Sequence, residues 1–179
     1  MLPAAMSDRT TADPELVRRL VEASELHGDF VLSSGKRSNV YFDKFRFLTQ
    51  PDLLRDLAHA VAGLLADGTD HLAAPEGAAT LLVAAVSLET GLPTAVVRKE
   101  PKAYGTREQV EGHAPPGARA TLIEDVSTTG HQVLAAAKAL EATGVTIARI
   151  VLAIDRGGAE PLREAGYDVA AVTVLRPTD

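Results

Sequence analysis

Residues 121–134 read TLIEDVSTTGHQVL. Two acids, Glu124 and Asp125, stand just ahead of Val126, Ser127, Thr128, Thr129 and Gly130. An apolar strand leads in, and His131, Gln132 and an alanine-rich helix lead out. A loop that enters a helix offers unpaired backbone N–H groups and the positive end of the helix dipole, and both suit a phosphate. Thr128 and Thr129 add hydroxyl donors, and Gly130 lets the backbone come close. The acids repel a phosphate, so they must serve another part of the ligand. They can accept hydrogen bonds from vicinal hydroxyls or hold Mg²⁺ through water. A phosphate with a diol nearby satisfies both halves, and ribose 5-phosphate is such a ligand. A capped helix after an ordinary buried strand explains either half alone, but not the combination.

Other residues invite the same question. Arg98, Lys99, Lys102 and Arg107 crowd one short window of an otherwise acidic chain. They are either a solvated loop or a cationic arm that neutralises a leaving pyrophosphate. Arg156 follows a strongly apolar strand, where it can grip a carboxylate with two parallel hydrogen bonds or pair with Asp155 or Glu160. Ser34, Lys36, Arg37, Tyr41 and Phe42 belong either to a plain hairpin or to a flap over a site. His131 can donate to a phosphate or lie on the helix surface. His27, His59, His71 and His113 lack metal-ligand spacing and read as structural or exposed. The P-loop, dinucleotide-binding, zinc-peptidase and serine-hydrolase motifs are absent, so those chemistries lack support.

The elements that must hold these residues follow from capping and periodicity. DPELVRRLVEASEL starts with a capping Asp13 and Pro14 in the first helical position. DFVLSSGKRSNVYFDKFRF reads as two short strands about a Ser-Gly turn. PDLLRDLAHAVAGLLADG predicts a helix that stops at Gly68. Strands are then expected at DHLAA, PTAVV, RATLIE, TIARIVLAID and DVAAVTVL. Helices are expected at GAATLLVAAVSLETG, HQVLAAAKALEATG and AEPLREAG. From residue 70 onward the alternation of strand and helix argues for an α/β fold, a central, mostly parallel sheet flanked by helices. Ligands in such sheets bind at the carboxyl ends of strands, near a switch in strand order.

The bulk numbers agree with one domain over residues 1–179, with residues 1–12 read as a flexible start and no signal-peptide pattern in them. Hydrophobic residues make up 46% and charged residues 23% of the chain, enough apolar content for a folded core. The net charge of -6 argues against nucleic-acid or membrane-surface partners, and no apolar run reaches the roughly 18 residues of a membrane span. Cysteine is absent, which fits a reducing cytoplasm.

Four segments carry a family resemblance. LIEDVSTTG resembles the diphosphoribosyl-binding signature of the type I phosphoribosyltransferases. FVLSSGKRSNVYFD, VVRKEPKAYGTREQVEG and VLAIDRGG resemble the substrate segment, mobile catalytic loop and Asp-Arg pair of the orotate phosphoribosyltransferases, in the same order. The resemblance implies the type I phosphoribosyltransferase fold, with a small N-terminal flap (hood) at 29–47 and a mobile catalytic loop at 98–112. It implies transfer of the phosphoribosyl group of 5-phosphoribosyl 1-diphosphate to orotate, in pyrimidine synthesis, with Mg²⁺ and in a cytoplasmic homodimer whose loops cross between subunits. The donor site would comprise Arg98, Lys99, Lys102, Tyr104 and the run Glu124, Asp125, Val126, Ser127, Thr128, Thr129, Gly130, His131 and Gln132. Lys102, Glu124 and Asp125 would carry catalysis, with no direct protein ligand for the metal. Thr128, Arg156 and Lys36 would hold orotate. The chain departs from the family pattern at Ser33, where some relatives have lysine. It departs again at Ala74, Glu76 and Ala78, in the expected pyrophosphate loop. Those departures motivate two alternatives, transfer to another base and a donor-binding regulator without catalysis.

Overall fold

The computed structural model describes residues 13–31, 35, 37–102 and 108–175. Residues 1–12, Ser33, Ser34, Lys36, Tyr104 and Arg107 lie outside them. Helix α1 (Pro14–Ser24) opens with the Glu15 amide donating to the Asp13 side chain at 3.0 Å. Strands β1 (Glu25–Val31) and β2 (Arg37–Phe42) form an antiparallel hairpin whose register breaks between His27 and Phe30. The FRF segment is not an extension of that hairpin. It forms a short helix, α2 (Phe45–Leu48), because Phe47 and Leu48 drop into the core.

Helix α3 (Pro51–Ala62) ends earlier than Gly68, since the Gly63 and Leu64 amides turn back onto His59 and Val61. The rest is β3 (His71–Pro75), α4 (Ala79–Thr90), β4 (Thr94–Val97), β5 (Val110–Gly112), β6 (Arg119–Ser127), α5 (His131–Glu141), β7 (Thr146–Asp155), α6 (Ala159–Glu164) and β8 (Val169–Val174). The expected loop at 98–112 therefore ends in a strand. Residues 110–112 pair antiparallel with β4, which has a free edge to fill.

The main sheet has six strands in the order β5-β4-β3-β6-β7-β8, all parallel except β5. Alternate residues of β6 and β7 feed opposite faces, as the period of two requires. Ile123, Val151 and Ala153 pack with Leu20, Phe47, Leu57 and Leu82 under α1–α4. Leu122, Ile150 and Leu152 pack with Val133, Ala137, Leu140 and Leu162 under α5 and α6. Each fully buried leucine or isoleucine contributes about 1.5–3 kcal/mol. That double cover explains the unbroken apolar run Ile150–Ile154 in β7.

The chain runs outward one way from β3 to β4 and the other way from β6 to β8. The strand order thus switches between β3 and β6, and the turns after those two strands flank one crevice. No helix of the described residues is long and apolar enough to cross a membrane.

Candidate active site

The turn after β6 is built by two glycines that meet. Gly130 has φ 73°, and a Cβ on it would lie 2.8 Å from the Gly158 carbonyl oxygen and 3.3 Å from Leu162 Cγ. A Cβ on Gly158 would lie 2.0 Å from Ser127 Oγ. The Ser127 carbonyl accepts from the Arg156 amide at 2.8 Å and the Gly158 amide at 3.3 Å. Asp155 closes the neighbouring turn by accepting from the Gly157 and Ala159 amides at 2.8 and 3.1 Å. The ends of β6 and β7 are therefore locked side by side. Ser127 is buried in this packing, whereas Thr128 and Thr129 are exposed at the mouth of α5. Val126 packs against the core, and His131 and Gln132 are exposed on the first turn of the helix.

The two acids lie inside β6, which runs three residues beyond LIE because its pairing with β7 continues to Ser127 and Asp155. Glu124 is 4% exposed and Asp125 is fully buried. Neighbours in a strand leave opposite faces, so Asp125 shares the side of Ile123 and Glu124 that of Leu122. Burial pushes the Glu124 carboxyl up, to about 8, and the charge of Asp125 pushes it the same way, while Lys44 pulls it back. Asp125 Oδ1 accepts from Lys44 Nζ at 3.1 Å and from the Val126 amide at 2.6 Å. Its Oδ2 is buried and meets no amide, amine or hydroxyl donor among the described residues, and the two carboxyls interact side by side.

Arg156, at the end of β7, makes no ion pair with Asp155 or Glu160. Its guanidinium lies 4.9 Å from the centre of the Phe42 ring, which ties the hairpin to the strand ends. Phe42 in turn meets Phe47 edge-on, with ring centres 6.4 Å apart.

Across the crevice, only Gly77 in the turn after β3 needs a left-handed backbone, at φ 113°. Ala74 lies inside the strand, and Ala78 has φ -67°, so neither alanine strains the turn. Glu76 staples three segments. Its Oε1 accepts from the Lys99 amide at 3.0 Å, its Oε2 lies 3.9 Å from Arg98 Nη1, and its carbonyl accepts from Gln132 Nε2 at 3.4 Å. Pro75, Arg98, Lys99, His131 and Gln132 border a cavity of about 290 Å³ beside this staple. Lys102 is pinned to its own chain through an ion pair with Glu111 on β5 at 2.5 Å. Among the described residues no group of three His, Asp or Glu side chains stands ready to hold a metal.

The phosphoribosyl transferase domain family matches residues 46–173, which hold both turns and both acids. The orotate phosphoribosyltransferase of Thermococcus gammatolerans is 43% identical over 162 residues, covering 87% of this chain and 86% of that protein. The orotate phosphoribosyltransferase of a Nocardioides species is 42% identical over 171 residues, covering 94% of this chain and 96% of the relative. The chain belongs to the orotate phosphoribosyltransferase family. The structure agrees with that kinship. The orotate phosphoribosyltransferase of Mycobacterium tuberculosis, solved in complex with 5-phospho-alpha-D-ribosyl 1-diphosphate, superposes with a TM-score of 0.77 at 25% identity, covering 90% of this chain and 94% of that one.

Within the family frame, the structure gathers Arg98, Lys99, Glu124, Asp125, Thr128, Thr129, Gly130, His131, Gln132 and Arg156 around the carboxyl ends of β3, β4, β6 and β7. Lys102 is held slightly apart, against β5. Two residues escaped the sequence reading as site members. Lys44 lies in no motif, and its partner is 81 positions away. Glu76 looked misplaced in an anion site, and only the Lys99 amide explains it.

Proposed function

We propose that this chain catalyses transfer of the phosphoribosyl group from 5-phosphoribosyl 1-diphosphate to orotate, giving orotidine 5'-phosphate and diphosphate in pyrimidine synthesis, as a cytoplasmic enzyme. The single observation that carries the choice of base is Arg156. It stands at the mouth of the crevice against an aromatic ring and without an ion-pair partner among the described residues, and a planar acid is its natural complement. The Thr128–Gly130 turn and the first amides of α5 hold the 5'-phosphate. Asp125 and Glu124 receive the ribose hydroxyls or water.

The chemistry needs no covalent nucleophile. Diphosphate leaves C1 of the ribose with oxocarbenium character as the base nitrogen attacks, so the protein positions the partners and balances charge. Arg98, Lys99 and Lys102 supply that charge on the diphosphate side, Lys102 after leaving Glu111. Tyr104 and Lys36 remain candidates for donor and orotate contact. A buried carboxylate with a free oxygen suits water-mediated contact with Mg²⁺, and when bound on the donor the ion would offset the diphosphate charge.

The reading includes a homodimer. Helix α4 carries Leu81 and Leu88 on its outer side, 39% and 89% exposed and one heptad apart, so a second copy is the expected cover. Leu88→Glu should turn a dimer into a monomer in sedimentation, and an unchanged mass would remove this support.

A panel of bases tests the function. Diphosphate release should occur with orotate and not with uracil or adenine. Faster release with a base lacking an acid group would reassign the enzyme.

A further inference from the structure

The hairpin does more than cover the crevice. Residues 42–44 run from β7 to β6 above the strand ends. Phe42 lies under the Arg156 guanidinium, and two residues later Lys44 Nζ reaches Asp125 Oδ1 at 3.1 Å. The segment has a firm footing, because Phe47 and Leu48 of α2 are 0% and 1% exposed. Asp43 stiffens it further by accepting the Phe45 amide at 3.0 Å, while its own amide donates to the Ser24 carbonyl at 2.8 Å.

The Asp125 carboxylate is used unevenly. Oδ1 takes two donors, Lys44 Nζ and the Val126 amide, while Oδ2 is buried and meets no amide, amine or hydroxyl donor among the described residues, the Glu124 carboxyl being its acidic neighbour. A buried carboxylate oxygen without a donor is costly to leave unmet, and a ligand hydroxyl is a donor. The Lys44 side chain is 38% exposed whereas that of Asp125 is fully buried, so the lysine is the part of the pair that opens on the crevice. Glu124, beside Asp125 in the strand, has its carboxyl pushed up by burial and by the Asp125 charge, and Lys44 is the cation that pairs with Asp125.

We propose that Lys44 is a positioning residue for the sugar-diphosphate donor: it fixes the Asp125 carboxylate through Oδ1, so that Oδ2 is left to receive a ribose hydroxyl. This rests on the reading of the crevice as a phosphoribosyl donor site. The hydroxyl is held in the ground state and in the transition state alike, so the pair acts mainly on donor affinity and less on turnover.

Calorimetry of donor binding, which needs no orotate, tests the inference on the whole chain. Lys44→Met keeps the stem and removes the charge. It should weaken donor binding at least tenfold and raise the donor KM, with kcat changed less than threefold. Lys44→Arg should restore most of the affinity. In an Asp125→Asn background, Lys44→Met should add little, because the partner is already gone. Far-UV circular dichroism and thermal unfolding establish that each variant folds. Should Lys44→Met fail to fold, the Lys44→Arg and Lys44→Gln pair carries the comparison, with Gln weak and Arg strong. Donor affinity within twofold of the unaltered protein would overturn the proposal, and so would additive losses from the two substitutions. Orotate turnover by the unaltered enzyme tests the parent reading separately.

Discussion

Two glycines with the same backbone angle allow the phosphate turn to be tested against an internal control. Gly130 and Gly91 both have φ 73°. Alanine in the left-handed region costs about 1–2 kcal/mol at either position. Loss of unfolded-state freedom returns about 0.4–1 kcal/mol in both, and cancels in the comparison. The sites differ in their surroundings. A Cβ at Gly91 meets nothing within 4 Å, whereas one at Gly130 meets the Gly158 carbonyl oxygen at 2.8 Å and Leu162 Cγ at 3.3 Å. Gly158 cannot retreat easily, because it is packed on Ser127. Overpacking of this kind adds about 1–3 kcal/mol.

Gly130→Ala should therefore cost about 1–3 kcal/mol more than Gly91→Ala. If the turn holds its shape, the excess appears in thermal unfolding, as a Tm roughly 2–12 °C below that of Gly91→Ala. If the turn shifts to relieve the contact, the excess appears in donor affinity, as a loss of roughly 5- to 150-fold measured by calorimetry. The two readouts together must account for it. Gly130→Ala indistinguishable from Gly91→Ala in both Tm and donor affinity would refute the reasoning.

Three further outcomes are expected. Arg156→Met should raise the orotate KM at least tenfold and leave donor affinity unchanged. Arg156→Lys should recover only part, since an ammonium cannot grip a carboxylate with two parallel hydrogen bonds; steady-state kinetics with each substrate varied separates the two effects. Glu76→Gln should bind the donor as well as or better than the unaltered chain, because it keeps an acceptor for the Lys99 amide and removes a negative charge near the diphosphate. Glu76→Ala should bind it more weakly, and equal losses in the two variants would count against the staple. Glu124 has a folded pKa raised from 4.5 to about 8, so the folded state binds the proton more tightly than the unfolded state. Its contribution to stability is then present below about pH 4.5 and is lost as pH rises toward 8. Relative to Glu124→Gln, the unaltered chain should lose stability across that window, and parallel stability curves in denaturant titrations would contradict the shift.

Much of the fold was legible because apolar runs and glycine punctuation agree from residue 70 onward. TIARIVLAID is β7 to the residue, since its second half, Ile150–Ile154, is an unbroken apolar run buried on both faces. The misreadings have physical causes. The strand VEG is three residues ending in glycine, and only the open edge of β4 makes it a strand. Propensity would end β6 at the acids, yet its ladder with β7 carries them to Ser127. FRF alternates like a strand, but burial of Phe47 and Leu48 winds it into a helix.

The phosphate turn was legible because its parts are contiguous: acids, hydroxyls, glycine, helix. Lys44 was not, because its meaning lies in a partner from another element. The alanines at 74 and 78 looked harmful only while the position of the left-handed residue was unknown. Gly77 holds it.

Phosphoribosyl transfer to orotate can be followed directly by absorbance. The protein is mixed with orotate, 5-phosphoribosyl 1-diphosphate and Mg²⁺, and each of the three is omitted in turn. Orotate absorbance should fall only in the complete mixture, with one diphosphate released per orotate consumed. Donor binding by calorimetry with no loss of orotate would contradict it. The phosphate turn would then be real, and the catalysis or the base would be wrong.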